Sequence, residues 1–358
     1  MATISSFLSE GFLKEFIEDF PRDFFSDEFP ASIAIYRFLD KHTDVALSGK
    51  KEDYVDLIQT DGLVRNLINR YLQGDDSVKF KDWEKELPPN AKPFPFFFLT
   101  SFSNTLKTHL NQKGLPSYQL KNTQTLKQIT GYEAIPVTTN SNFSNRLSSW
   151  EDLKGKLLPF HSLVMVDNYL LSQANKHANP VQDSIIPLLR SIMEGSGLNE
   201  KKIYITLICF HQYKKGKYEG KSDNDWEKKE KKKKEELIKK TITLSSDIKE
   251  NLDCHFTNSN LFDYSVAILD DSSSFHDRII ITNGQFLTSG NSFGHYFNSK
   301  GKIKLKSPTI LNLNSHACTY NDTKWSEIAT QMLETLKMLI KDSSTTKVGN
   351  PLDNPLLV

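Results

Sequence analysis

The residues best equipped for chemistry lie in one run, Phe275-His276-Asp277-Arg278-Ile279-Ile280-Ile281-Thr282-Asn283-Gly284-Gln285-Phe286-Leu287-Thr288-Ser289-Gly290-Asn291. Alternate side chains of an extended chain share a face, so His276 and Arg278 are expected to project together. A neutral imidazole beside a fixed cation suits a phosphate diester. The guanidinium grips two oxygens, and the imidazole can attack phosphorus or donate a hydrogen bond. Asn283-Gly284 is a two-residue hairpin signal. It would return the chain so that Ser289 and Asn291, with Gly290 between them, add polar groups at the end of the neighbouring strand. Phosphate-binding candidates are therefore His276, Arg278, Asn283, Ser289 and Asn291.

A second group of cations lies upstream. Lys214, Lys215, Lys228, Lys229, Lys231, Lys232, Lys233 and Lys234 form a basic arm, offset in part by Glu227, Glu230, Glu235 and Glu236. Such a run is either a solvated helix face or a phosphate-engaging arm, with Tyr213, Tyr218 and Trp226 available to stack on bases or to sit at a membrane surface. Lys300, Lys302, Lys304 and Lys306 alternate with Gly301, Ile303 and Leu305, as on a strand at a guarded sheet edge. Asp167 and Tyr169 follow another predicted strand, as structural or site-flanking residues.

The His276 run resembles the phospholipase D superfamily, whose motif is His-x-Lys-x4-Asp followed by Gly-Ser-x-Asn. Here His276-x-Arg278-x4-Asn283 precedes Ser289-Gly290-Asn291. It is similar in particular to the phospholipase-D-like C-terminal domains of microtubule-interacting-and-trafficking proteins. Those domains share the His-Asp-Arg triplet, the Asn-Gly turn, a downstream Gly and Phe, and an acidic residue ahead of a Tyr, seen here as Asp167-Asn168-Tyr169. The resemblance implies a phospholipase-D-like domain over about half the chain, and in that eukaryotic family a non-enzymatic role at acidic phosphoinositide membranes.

Two departures bear on catalysis. Arg278 replaces a compact ammonium with a planar, permanently charged fork, which favours binding over turnover. Superfamily enzymes oppose two motifs, whereas His161, His211 and His255 are each followed by residues that make no second one. Catalysis would need a homodimer pairing two copies of His276 as nucleophile, with Arg278 as clamp. The favoured expectation is a non-catalytic module that binds nucleic acid or another phosphodiester. The alternatives are a dimeric phosphodiesterase or nuclease, and an acidic-membrane binder.

These residues need a scaffold. The expected fold class is α/β: a phospholipase-D-like layered sheet-and-helix domain over residues 151–342, a mainly helical N-terminal interaction domain over 1–150, and a flexible tail over 343–358. Strands are predicted at 163–166, 203–208, 264–269 and 275–282, with helices at 184–194, 225–247 and 323–341. In the N-terminal part, Phe7, Leu8, Phe12, Leu13, Phe16 and Ile17 recur at helical steps, and helices are also expected at 31–41, 52–72, 104–112 and 122–130. The run 94–99 reads as a buried strand, and Thr138 to Ser149 as a boundary loop.

The chain has 358 residues and a formal net charge of +1, which argues against a uniformly basic nucleic-acid binder and places electrostatic steering in local patches. Cys209, Cys254 and Cys318 lie far apart without zinc spacing, so buried thiols are expected, with no metal and no cofactor. The N-terminus lacks a signal-peptide pattern and no apolar run is long enough to span a bilayer, so a cytoplasmic location is expected. The Ser/Thr/Asn-rich, Lys-rich composition suits a bacterial defence system.

Overall fold

The computed structural model describes residues 4–23, 35–36, 38–40, 43–58, 66, 69, 78–81, 94–119, 132–167, 181–195, 202–210, 223–256, 262–269, 278–298, 300–304, 309–318, 325–342 and 345–358. The protein is mixed α/β, built on two sheets.

The first sheet joins five strands: β1 (Ile4–Leu8), β2 (Thr43–Ser48), β3 (Val78–Lys81), β4 (Phe94–Leu99) and β5 (Ser117–Gln119). All are parallel, in the order β3-β2-β1-β4-β5. The helices that accompany it include α1 (Glu10–Asp23) and α2 (Asn104–Gln112). Parallel strands covered on both faces carry unbroken apolar runs, and β4 does so. Phe96 and Phe98 pack in the same core as Phe12 and Phe16 of α1, while Phe97 and Leu99 pack with Leu110 of α2. Phe7 stacks on Phe97 with ring centroids 4.6 Å apart.

The expectation of a mainly helical N-terminal region is therefore corrected. Phe7 and Leu8 belong to a strand, and the helix begins only at Glu10, where the buried Ser9 hydroxyl accepts the Phe12 amide at 3.1 Å. The apolar residues on either side of that junction fell by coincidence on one helical stripe. Most of the helices expected at 31–41 and 52–72, and all of that at 122–130, lie outside the described residues.

The second sheet joins eight strands: β6 (Tyr132–Val137), β7 (Ser162–Val166), β8 (Ile203–Phe210), β9 (Phe262–Leu269), β10 (Arg278–Thr282), β11 (Gln285–Ser289), β12 (Thr309–Ser315) and β13 (Thr346–Val348). Their order is β13-β9-β8-β7-β10-β11-β12-β6, with β7, β8 and β9 parallel and the remaining pairs antiparallel. Three helices serve it: α3 (Ile186–Gly195), entered through a wide turn at Val181–Ile185, α4 (Asp223–His255) and α5 (Trp325–Lys341). Strand alternation divides the core. Val164, Val166, Ile279 and Ile281 join the cluster that contains α5 and reaches Phe12 and Phe98 of the first unit. Met165, Leu207, Ile280 and Leu287 join the cluster beneath α3 and the end of α4.

Because β6 pairs with β12, the second sheet already includes Tyr132–Val137, ahead of residue 151. The C-terminal residues are not a loose tail: β13 pairs with β9, Leu356 and Leu357 are buried, and Asn354 Nδ2 donates to Leu163 O (3.0 Å) and Thr206 Oγ1 (3.1 Å). The lysine stripe at 300–304 is a turn in which Asn298 Oδ1 accepts the amides of Lys300 (2.9 Å) and Lys302 (3.0 Å), with Gly301 at φ 67°; Lys306 lies outside the described residues.

Candidate phosphate site

The arrangement centres on the start of β10. Ile279 pairs with Val166, so one step further Arg278 stands abreast of Asp167; on its other side Arg278 pairs with Ser289. Asp167, Arg278 and Ser289 thus form a row across three strands. Alternation points all three toward the face of Ile280, Met165 and Leu287, at the carboxyl end of the parallel strands β7–β9. Open α/β sheets place ligands along that edge.

Each member is held differently. Asp167 is fully buried, and its Oδ2 accepts from Ser292 Oγ at 2.7 Å and from the Phe293 amide at 2.8 Å. A buried carboxylate is tolerated because such charge-assisted bonds replace hydration. Ser289 exchanges a hydrogen bond with the Tyr296 hydroxyl, donates to Asn291 O at 2.5 Å and accepts the Asn291 amide at 3.0 Å. Burial pushes the Tyr296 phenol up to about 12, against the opposing pull of its hydrogen bonds to Ser289 and the Asn291 backbone and, least, of the Arg278 charge, so it remains a hydroxyl at neutral pH. Asn291 Nδ2 donates to Thr309 Oγ1 at 2.8 Å. Arg278 is partly exposed and donates from Nη1 to Gly290 O at 3.2 Å. A side chain at exposed Gly290 would meet no atom within 4 Å, so the space over this turn is open.

The turn itself is supported by aromatics. Ser184 Oγ, which accepts the Trp150 indole N–H at 3.0 Å, donates to Phe293 O at 2.6 Å. Trp150 packs on Phe293, Tyr296 and Phe297, at centroid distances of 6.5, 5.4 and 5.0 Å. The loop 289–297 is thereby fixed to the wide turn that begins α3.

Asn283 stands elsewhere. It follows β10 at the end remote from Arg278 and is fully buried. Its Oδ1 accepts the His161 amide at 2.9 Å, and its Nδ2 donates to Gly114 O at 2.9 Å. The placement of Asn283 in a phosphate cradle is corrected: the Asn283-Gly284 turn forms the expected hairpin, but it docks the second unit on the first. Gly284 lies so close to Pro116 that a Cβ would come within 2.9 Å of its ring.

His276 and Asp277, with Asp270 and Asp271, lie outside the described residues, as do Asn168, Tyr169, Lys214 and Lys215. Lys229, Lys233 and Lys234 fall within α4, and Lys228, Lys231 and Lys232 are exposed along it. The support from Ser292, Tyr296 and Thr309 was not anticipated; the only signal was the polar cluster after Ser289, which does not reveal its partners. Cys209 and Cys318 are buried and Cys254 is exposed on α4; burial pushes the Cys209 thiol up, so it stays protonated. Among the described residues no group of three or more His, Cys, Asp or Glu could hold a metal ion, and no helix is long and apolar enough to cross a membrane.

No family model matches the sequence, and no curated protein matches it. Among solved structures it is similar to an Argonaute of Aquifex aeolicus at 9% identity, over 99% of this chain and 49% of that one, with a TM-score of 0.16. The chain thus spans about half the length of that protein, and a likeness of this size carries no argument.

Proposed function

We propose that the chain is a phospholipase-D-like phosphate-recognition module that binds nucleic acid or another phosphodiester without turning it over. The carrying observation is Arg278: a partly exposed guanidinium at the strand edge, in register with Ser289 and beside the open turn at Gly290. A planar fork there can take two oxygens of one phosphate, and charge-assisted bonds of this kind contribute roughly 1.5–3 kcal/mol each. His276 lies two residues before Arg278 in the sequence, so it would add an imidazole if the strand continues outward. Binding rather than turnover is favoured by Arg278 standing where the superfamily motif has lysine, and by the absence of a second motif in the chain.

The test is a high-resolution structure of the protein with a dinucleoside phosphodiester. The reading requires an intact phosphate against Arg278, near Ser289–Asn291. A phosphate seated away from Arg278 overturns it, and cleavage that is lost in His276→Ala overturns the non-catalytic part.

A further inference from the structure

Helix α4 has 33 residues, so it is about 50 Å long, far longer than the strands it connects. Its position beside α3 is fixed by two contacts. Arg190 donates to Asn251 O at 3.4 Å, and the His255 ring meets the Glu194 carboxylate at 2.5 Å, each pair separated by 61 residues. A constant separation means that the two helices run parallel and in step. Val181, where the wide turn before α3 begins, therefore has its counterpart at Ile242.

Burial agrees. Ser245, Ile248 and Leu252 are buried, whereas Ile242 and Thr243 are exposed, as are Lys228, Lys231, Lys232, Glu235, Glu236 and Lys239. From Ile242 back to its start at Asp223, α4 extends roughly 28 Å beyond the level of Val181 at 1.5 Å per residue, with Ile238 half-buried on it. It passes the level of Val181–Ile185, the turn whose Ser184 holds Phe293 in the loop beside Arg278. It also lies on the sheet face toward which Arg278 is directed. The rod thus rises from the edge that carries the candidate phosphate site, and among the described residues the start of α3 lies between them.

Its charge is concentrated. Residues 228 to 240 hold eight lysines and three glutamates, a net +5 in a chain whose total is +1, so the remainder carries −4. Asp223, Asp225 and Glu227 occupy the first turns of the helix, where the dipole favours acids. The stretch from 228 to 240, about 18 Å long, carries this charge and complements a row of phosphates rather than one head group.

We propose that the ligand of the Arg278 edge is a single nucleic-acid strand, one phosphate of which meets Arg278 while those following run along the lysine-rich half of α4. This inference rests on the phosphate-recognition reading and specifies its ligand as a polymer. A lipid surface fits less well, because Glu230, Glu235 and Glu236 interleave with the lysines and would face the acidic head groups.

The test is fluorescence anisotropy with labelled single strands of about two, about eight and about twenty nucleotides, lengths chosen to span none, part and all of the rod. Wild type is compared with Lys228→Glu/Lys231→Glu/Lys232→Glu and with Arg278→Ala, each checked for folding by circular dichroism. Wild-type affinity is expected to rise at least about tenfold from the shortest to the longest strand. The triple variant is expected to lose that gain while binding the dinucleotide unchanged, and to reduce the salt slope by about 2, since each neutralised phosphate contributes about 0.7. Length-independent binding, or a triple variant equal to wild type on the long strand, overturns the inference, as does binding of acidic phospholipid vesicles in preference to every strand. A dinucleotide bound equally by Arg278→Ala overturns the site reading instead, so the two failures are distinguishable.

Discussion

Arg278 and Asn283, which the motif spacing places in one site, stand at opposite ends of β10 with separate tasks. The guanidinium of Arg278 reaches the Gly290 carbonyl at 3.2 Å on an open edge, while the Asn283 carboxamide is buried and donates to the Gly114 carbonyl at 2.9 Å. A strand rises about 3.3 Å per residue, so roughly 16 Å separates them along the chain.

Asn283→Ala is expected to destabilise the protein without altering phosphate binding. It leaves the His161 amide and the Gly114 carbonyl without their partner, at a cost of about 3 kcal/mol for two stranded polar groups. Urea unfolding followed by fluorescence measures the loss, and titration with a dinucleoside phosphodiester checks that affinity is unchanged.

The structure explains why the sequence was informative in one half and misleading in the other. Around Arg278, period-two patterning, the Asn283-Gly284 turn and the amphipathic stripe of α5 are local signals, and strands 163–166, 203–208 and 264–269 were legible for the same reason. In the first unit, β1 offers Ser5 and Ser6 between apolar residues and runs within two residues into α1, so one stripe passes for one helix. The task of Asn283 depends on Gly114, 169 residues away, and local spacing carries no information about such a partner. Similarly, Leu356 and Leu357 look unstructured after α5 because their cover lies in another part of the chain.

Acid is expected to weaken the junction of the two units through His316. Its ring stacks on Phe94 of the first unit at 3.8 Å, and its Nε2 donates to Thr282 O at 2.8 Å, which leaves Nδ1 as the unprotonated nitrogen. Burial pushes its pKa down to about 4. The folded state therefore prefers the neutral ring. Its stability is complete above the unfolded value near 6.5 and falls between there and about 4, by on the order of 3 kcal/mol. His316→Phe keeps the stacking and should flatten that part of the stability–pH curve, measured by urea midpoints from neutral to acid pH.

Gly349→Ala tests whether the C-terminal residues belong to the core. Gly349 has φ 70°, and a Cβ there would lie 2.9 Å from the Tyr264 carbonyl oxygen. The strain of a left-handed alanine alone costs roughly 1–2 kcal/mol, and the close approach adds to it. A lowered thermal midpoint is expected; an unchanged one would mean that β13 contributes nothing to the cooperative unit.

Asp167→Asn keeps the shape of the site but removes a carboxylate that accepts from Ser292 and the Phe293 amide. Weakening those bonds should cost roughly 2 kcal/mol of stability and loosen the loop that carries Gly290 and Asn291. Amide hydrogen exchange at 290–294 is expected to accelerate relative to wild type.

The most direct test of the central claim is calorimetric titration of a dinucleoside phosphodiester into wild type and Arg278→Ala. Loss of a charge-assisted fork worth about 2 kcal/mol corresponds to about thirtyfold weaker binding, and that loss is the predicted result. Equal affinity for the two proteins would contradict the assignment of this edge to phosphate.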